Sequence, residues 1–239
     1  MRKNIVRVTP LIIGIVALPL GLGFLAGNTF DVEGNRPQGE ATLVEKVLAP
    51  IRQLADQKET PKQLPLPNPP KIIRGIYLTS WSAGSPKVIE SVIRRAKTSE
   101  INAVIMDIKD FAGVVSYETG VPEVKKYGAE ERRIKDINGV IKKLHDAGMY
   151  VIARLTVFQD PILGTKRPDL AIHDLTKISS RAPVSSSTLW LDNHEMSWID
   201  PAAREAWEYT VRIAKDAASR GFDEINFDYI RFQSDKGIE

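Results

Sequence analysis

The sequence predicts an α/β fold of the (β/α)8 TIM-barrel type, of which it carries about the first four strands and three helices. Three observations lead there. Four short stretches with strand alternation are separated by three helical stretches with an apolar stripe. Each strand places polar groups on one face, which a purely structural core would fill with Val, Ile and Leu. The longest excursions follow the second and third strands, at the carboxyl ends where a barrel keeps its site-forming loops.

In chain order, residues 1–9 hold Arg2, Lys3 and Arg7, and residues 10–27 follow without a charge. A run of about 18 residues just reaches the length that spans a bilayer. Basic residues before it and Asp31 and Glu33 after it orient the amino terminus toward the cytoplasm. Residues 1–27 are expected to act as a signal-anchor with 11–26 in the membrane, and a cleaved signal peptide is the close alternative. No clear Ala-x-Ala site follows the run, which favours the anchor. Either way the remainder is expected to be extracytoplasmic, membrane-anchored or secreted. Residues 28–70 form a Pro-rich flexible linker of low order. It has one possible short helix over 41–57, and residues 60–70 (TPKQLPLPNPP) make a semi-rigid spacer.

The folded domain is expected over 71–239. Its strands are read at residues 72–81, 102–110, 149–158 and in GFDEINFDYIRF at 221–232. Ser85-Pro86 opens a first helix to about residue 99, with Val88, Ile89, Val92, Ile93 and Ala96 on one face. A second helix covers 134–147 and is stopped by Gly148. Asp200-Pro201 reads as an N-cap followed by proline at the first helical position, opening a third helix to about residue 220. An eight-fold barrel takes about 250 residues. Since about 170 follow the linker, the chain is expected to end within the barrel and the isolated domain to associate.

Composition narrows the function classes. A chain of 239 residues that is 43% hydrophobic and 26% charged, with a net charge of +3, is an ordinary globular one. It has no basic excess that would suggest nucleic acid. The absence of cysteine excludes disulfides, thiolate catalysis and cysteine-held zinc. His145, His173 and His194 are scattered without metal-ligand spacing, so no metal is expected. No glycine-rich loop follows the first strand, which argues against a nucleotide-binding doubly wound sheet, and no cofactor is expected.

Alternation assigns the faces. With Val104, Met106 and Ile108 outward against helices, Asp107 and Lys109 point inward, and so do Tyr77 and Thr79, Arg154, and Asn226 and Asp228. Ile225, Phe227 and Tyr229 fall on the opposite face of the last strand. Arg154 and Lys109 would keep Asp107 and Asp228 ionised through opposite charge. Trp81, Trp190 and Trp198 stand near strand ends, where they stack on sugar rings or anchor the long loop.

The blocks RGIYLTSW, NAVIMDIKD, YVIARLTVFQDP, the W-x-D-P start at Trp198 to Pro201, and FDEINFDYIRF together resemble a bacterial family of predicted glycoside hydrolase domains. That family is read as a TIM barrel in exported proteins. The resemblance covers residues 71–239, the amino-terminal part of the barrel only, and implies carbohydrate hydrolysis. By the same likeness Asp228 matches a nucleophile or stabilising carboxylate, and the chemistry needs two carboxyl groups flanking the scissile bond. Asp107 and Asp110 are the visible candidates for the partner, and a residue beyond Glu239 is the alternative. Tyr77, Trp81, Lys109, Asp110, Arg154, Asn226 and Arg231 are the candidates for holding substrate. The expected substrate is a cell-envelope or extracellular polysaccharide. The rival reading is a non-catalytic glycan-binding or scaffold domain of the envelope.

Overall fold

Four parallel strands build the sheet in the computed structural model, which describes residues 60–179 and 183–233. They are β1 (Gly75–Leu78), β2 (Ala103–Lys109), β3 (Tyr150–Thr156) and β4 (Glu224–Asp228), in the order β1-β2-β3-β4. Among them run α1 (Ser80–Ala83), α2 (Pro86–Ala96), α3 (Pro122–Tyr127), α4 (Ile137–Asp146), α5 (Pro161–Lys166) and α6 (Arg204–Ser219). The apolar run at 11–26, the linker to residue 59 and the helix expected over 41–57 lie outside the described residues. Among the described residues, no helix is long and apolar enough to cross a membrane.

Each long helix forms for a local reason and buries one stripe. In α2, Pro86 occupies the first turn, where its missing N–H costs nothing, and Ile89 and Val92 turn to the core. In α4, Asp136 caps the start by accepting from the Gly139 N–H at 2.8 Å. Ile137, Ile141 and Leu144 are buried, and Gly148 ends the helix at φ 72°, a conformation that costs glycine little. In α6 the buried stripe includes Tyr209, Ile213 and Ala217. These side chains share a cluster with Val104, Met106, Ile108, Val151, Ala153 and Leu155, all fully or almost fully buried. Each large member contributes about 1.5–3 kcal/mol on burial.

Several boundaries differ from the sequence reading. The fourth strand spans Glu224–Asp228 rather than 221–232, and the helix expected over 134–147 starts at Ile137. Two further shifts have a visible local cause. The first strand ends at Leu78 rather than near Trp81, because Thr79 accepts from the Ser82 N–H and caps α1. Thr79 is thereby spent as a cap. The third long helix starts at Arg204, four residues after the expected cap, because Asp200 Oδ1 accepts from Ala202 N–H at 2.8 Å and closes a separate turn.

The register fixes which side chains share a face. Tyr77 lies beside Ile105, Asp107 beside Arg154, Arg154 beside Asn226, and Thr156 beside Asp228. Those residues occupy the face opposite the helix-covered one. The pairing then steps from Asp107↔Arg154 to Lys109↔Leu155, so one residue of β2 is unpaired. Such a bulge reverses the parity of everything after it.

The last part of the spacer is held against the domain. Asn138 Nδ2 donates to the Thr60 carbonyl at 2.7 Å, and Gln63 N–H donates to the Arg220 carbonyl at 3.0 Å. Leu66 N–H donates to Asp223 Oδ1 at 2.6 Å. Asp223 Oδ2 meanwhile accepts from Val151 N–H and contacts His145 Nε2 at 3.0 Å. Residues 60–66 therefore run from the start of α4 to the turn between α6 and β4. Gly221 in that turn has φ 104°, and a Cβ there would stand 2.6 Å from the Gln63 carbonyl oxygen. Only glycine lets the strap come this close.

Candidate active site

The bare face of the sheet carries a chain of four polar side chains, one from each strand. Tyr77 of β1 donates its hydroxyl to Asp107 Oδ2 of β2. Arg154 of β3 donates from Nη1 to Asp107 Oδ1 at 2.5 Å. The same guanidinium donates from Nε to Asp228 Oδ2 of β4 at 2.7 Å. One arginine thus bridges two carboxylates. Its planar fork is rigid, so both carboxylates are placed relative to each other through it.

The electrostatics follow from this arrangement. Burial works against the charge on Arg154, yet its hydrogen bonds to Asp107 and Asp228 outweigh that, and its pKa is raised. Burial alone would push Asp228 up. The Tyr229 N–H on Oδ1, at 2.7 Å, and the Arg154 guanidinium outweigh burial and hold it below the ordinary carboxylate range. Tyr77 moves the other way. Burial, its hydrogen bond to Asp107 and that negative charge raise its pKa to about 12, so it stays a neutral donor.

Of the residues expected at the site, Asp228, Asp107, Arg154 and Tyr77 meet there, and Asn226 lies exposed on the same face beside Arg154 in register. Asp107 is 5% exposed and has both oxygens engaged, one by Tyr77 and one by Arg154. That suits positioning Arg154 better than passing a proton to a leaving group. Trp81 is 64% exposed at the carboxyl end of β1, with Arg133 4.8 Å over its ring. Trp190 and Trp198 are buried and anchor the long loop.

Two expected residues do not join. Lys109 is fully buried and pairs with Asp160 at 2.8 Å, while its Nζ also donates to the Thr156 carbonyl. The bulge after Asp107 turns it onto the Leu155 side, away from the site. Asp110 closes a turn: its Oδ1 accepts from Ala112 and Val114 N–H, and its Oδ2 accepts from Arg133 Nη1 at 2.6 Å. Neither oxygen is left for a substrate.

Tyr229 is the residue the alternation misplaced. Its φ is 55°, in the left-handed region that a bulky residue rarely adopts. The reversal brings its ring within 5.8 Å of Arg154 and 6.2 Å of Trp198 instead of sending it to the helix side. Arg231 follows, 4.9 Å over the Trp198 ring and 5.5 Å over Tyr229. Strained backbone directly after a presented carboxylate is a common mark of a functional turn.

Residues 75–239 match the family described as "Putative glycosyl hydrolase domain". The chain belongs to this family. A hypothetical protein from Ruminiclostridium thermocellum, known from its crystal structure, is 40% identical to it, with a TM-score of 0.60 over 66% of this chain and 78% of that one. The domain is also similar to an alpha-galactosidase from Thermus thermophilus (15% identity, TM-score 0.41, 76% of this chain and 34% of that one). An alpha-L-fucosidase from Paenibacillus thiaminolyticus gives 14% identity and a TM-score of 0.44 over 69% of this chain and 24% of that one. The domain thus spans about a third or less of the length of those two enzymes. None of the curated proteins matches it significantly. Among the described residues, no group of His, Asp and Glu is arranged to hold a metal ion.

Proposed function

We propose that this domain is the amino-terminal part of an exported (β/α)8 glycoside hydrolase in which Asp228 is the nucleophile or the carboxylate that stabilises positive charge at the sugar. The observation that carries the reading is Asp228 at the carboxyl end of β4, held ionised by Arg154 and the Tyr229 N–H. An anion fixed in that way meets the oxocarbenium-like character of a glycosyl transition state. It is a poor general acid, which needs a raised pKa. The acid is therefore a different carboxyl group from Asp228, and Asp107 and Asp110 have their oxygens engaged elsewhere.

The strand order supports the barrel. A doubly wound sheet reverses its order at a switch point and covers both faces with helices. Here the order is sequential, and the polar chain occupies the face opposite the helices. Residues 11–26 would carry the domain out of the cytoplasm, on an anchor or behind a signal peptide, with a cell-envelope or extracellular polysaccharide as substrate. A reporter fused after Pro70 should be active outside the cytoplasm, and activity only inside would refute the export. The function itself is tested by incubating the full chain with defined polysaccharides and measuring new reducing ends. Release of oligosaccharides is expected. Retention on the polysaccharide without release would favour the non-catalytic glycan-binding domain instead.

A further inference from the structure

Four arginines among the described residues rest on aromatic rings: Arg133, Arg154, Arg220 and Arg231. Three of them are neutralised. Arg133 pairs with Asp110 and Glu131, Arg154 with Asp107 and Asp228, and Arg220 with Asp216. Among the described residues, Arg231 forms no ion pair with a carboxylate. Its Nη1 donates to the Phe232 carbonyl at a long 3.3 Å, which leaves most of its five N–H donors available.

This guanidinium is exposed yet placed, because it lies over both Trp198 and Tyr229. Stacking of that kind attracts a guanidinium to the ring face even at an exposed site. It also removes part of the ordering cost that an extended arginine bears on binding. Arg231 borders a cavity of about 250 Å³ lined also by Gln159, Asp192, His194, Trp198 and Tyr229. That is somewhat below the volumes of about 300–1,000 Å³ that take drug-sized ligands, and it suits a single ring. Tyr229 joins this cavity directly to Asp228, with which it shares a peptide bond and the hydrogen bond on Oδ1.

The one carboxylate in the lining does not compete for the arginine. Asp192 Oδ1 accepts from the His194 and Met196 N–H groups, and Oδ2 accepts from Trp198 Nε1 and Gln159 Nε2. Both oxygens are saturated, so Asp192 fixes the wall. What faces the space is a planar fork of donors that pairs with no carboxylate among the described residues. The Phe232 carbonyl and the Gln233 side-chain oxygen, which also lines the cavity, are neutral acceptors. A carboxylate matches such a fork in two parallel hydrogen bonds, which a neutral hydroxymethyl group cannot do.

We propose that Arg231 anchors a sugar carboxylate next to Asp228, so that the glycan taken here is an acidic one built with hexuronic acid residues. The inference rests on the reading of this face as a glycan site and names the chemical class of that glycan. It is tested by binding to the full chain carrying Asp228→Asn, which holds the glycan without consuming it. The probes are oligogalacturonate, hyaluronan and alginate oligosaccharides, each paired with its carboxyl-reduced neutral counterpart. At least one acidic member is expected to bind tenfold or more tightly than its reduced partner, and Arg231→Gln is expected to erase that ratio. Equal affinity within every pair, absence of binding by both members included, overturns the proposal. A ratio that persists in Arg231→Gln overturns it too, since the carboxylate is then read elsewhere. Product release by the unmodified chain separates this from the hydrolase reading. Turnover of neutral and acidic glycans alike with no preference sinks the carboxylate subsite alone. A preference lost with Arg231, with no release from any glycan, supports the subsite and removes the catalysis.

Discussion

Arg154 has two carboxylates to serve and a fork of N–H groups that serves both, which is the reason a lysine cannot replace it. A lysine offers one compact point charge that reaches Asp107 or Asp228 but does not fix the angle between them. Arg154→Lys should lower turnover at least tenfold while the fold stays intact, and circular dichroism with kinetics on the same sample checks both. Tyr77 supplies a second expectation. Its pKa is raised to about 12 by burial, the hydrogen bond to Asp107 and that negative charge. The folded state therefore keeps the phenol proton where the unfolded chain, near pH 10, has lost it. Tyr77 contributes stability that is intact below pH 10 and is lost as pH rises toward 12. Ultraviolet titration of Tyr77→Phe against the unmodified chain should remove one tyrosine from the late part of the curve. Asp228 has the opposite sign: its depressed pKa means that its contribution is present at neutral pH and is lost only as pH falls below the ordinary aspartate range.

At the level of the element, what could be read and what could not divides at two backbone irregularities. Alternation placed Tyr77, Asp107, Arg154, Asn226 and Asp228 on one face, because each strand has a helix-covered side whose Val, Met and Leu residues are unmistakable. It misplaced Lys109 and Tyr229, since a period of two has no room for an unpaired residue or a left-handed one. The buried Lys109–Asp160 pair sits outside the site and predicts a separation of effects. Removing one partner leaves an uncompensated buried charge, at a cost of about 3–5 kcal/mol. Asp160→Asn should therefore lower the denaturation midpoint strongly, and the double variant Lys109→Met with Asp160→Asn should recover part of it. If the single variant abolishes turnover and leaves stability unchanged, Lys109 belongs to the site after all. The strap was also unreadable, because the docking of Thr60, Gln63 and Leu66 depends on partners far along the chain. A methyl group at Gly221 meets the Gln63 carbonyl and must adopt a strained φ, so Gly221→Ala should cost about 1–3 kcal/mol in urea unfolding.

The whole molecule follows from a repeated unit: a strand, an excursion at its carboxyl end, and a helix that returns across the outer face. The sheet order was legible because each of the first three strands is followed, before the next strand, by a long amphipathic helix, and consecutive units of that kind lie side by side. The inner walls of the excursions were not legible. Local propensity does not show that Asp192 would organise the loop after β3 by accepting four hydrogen bonds, or that Asp110 would be consumed by its own turn. The polar chain from Tyr77 to Asp228 spans all four strands and is buried more deeply on the Asp107 side than on the Asp228 side. Of the two carboxylates bridged by Arg154, Asp228 is the exposed one, while Asp107 and Arg154 are largely covered. The most direct test is the full chain carrying Asp228→Asn, measured for glycan turnover and melting temperature on the same preparation. The substitution keeps shape and removes charge, so turnover should fall by orders of magnitude while glycan binding and melting temperature stay nearly unchanged. A variant that melts far lower yet turns over at the original rate would make Asp228 a structural partner of Arg154 and contradict the account.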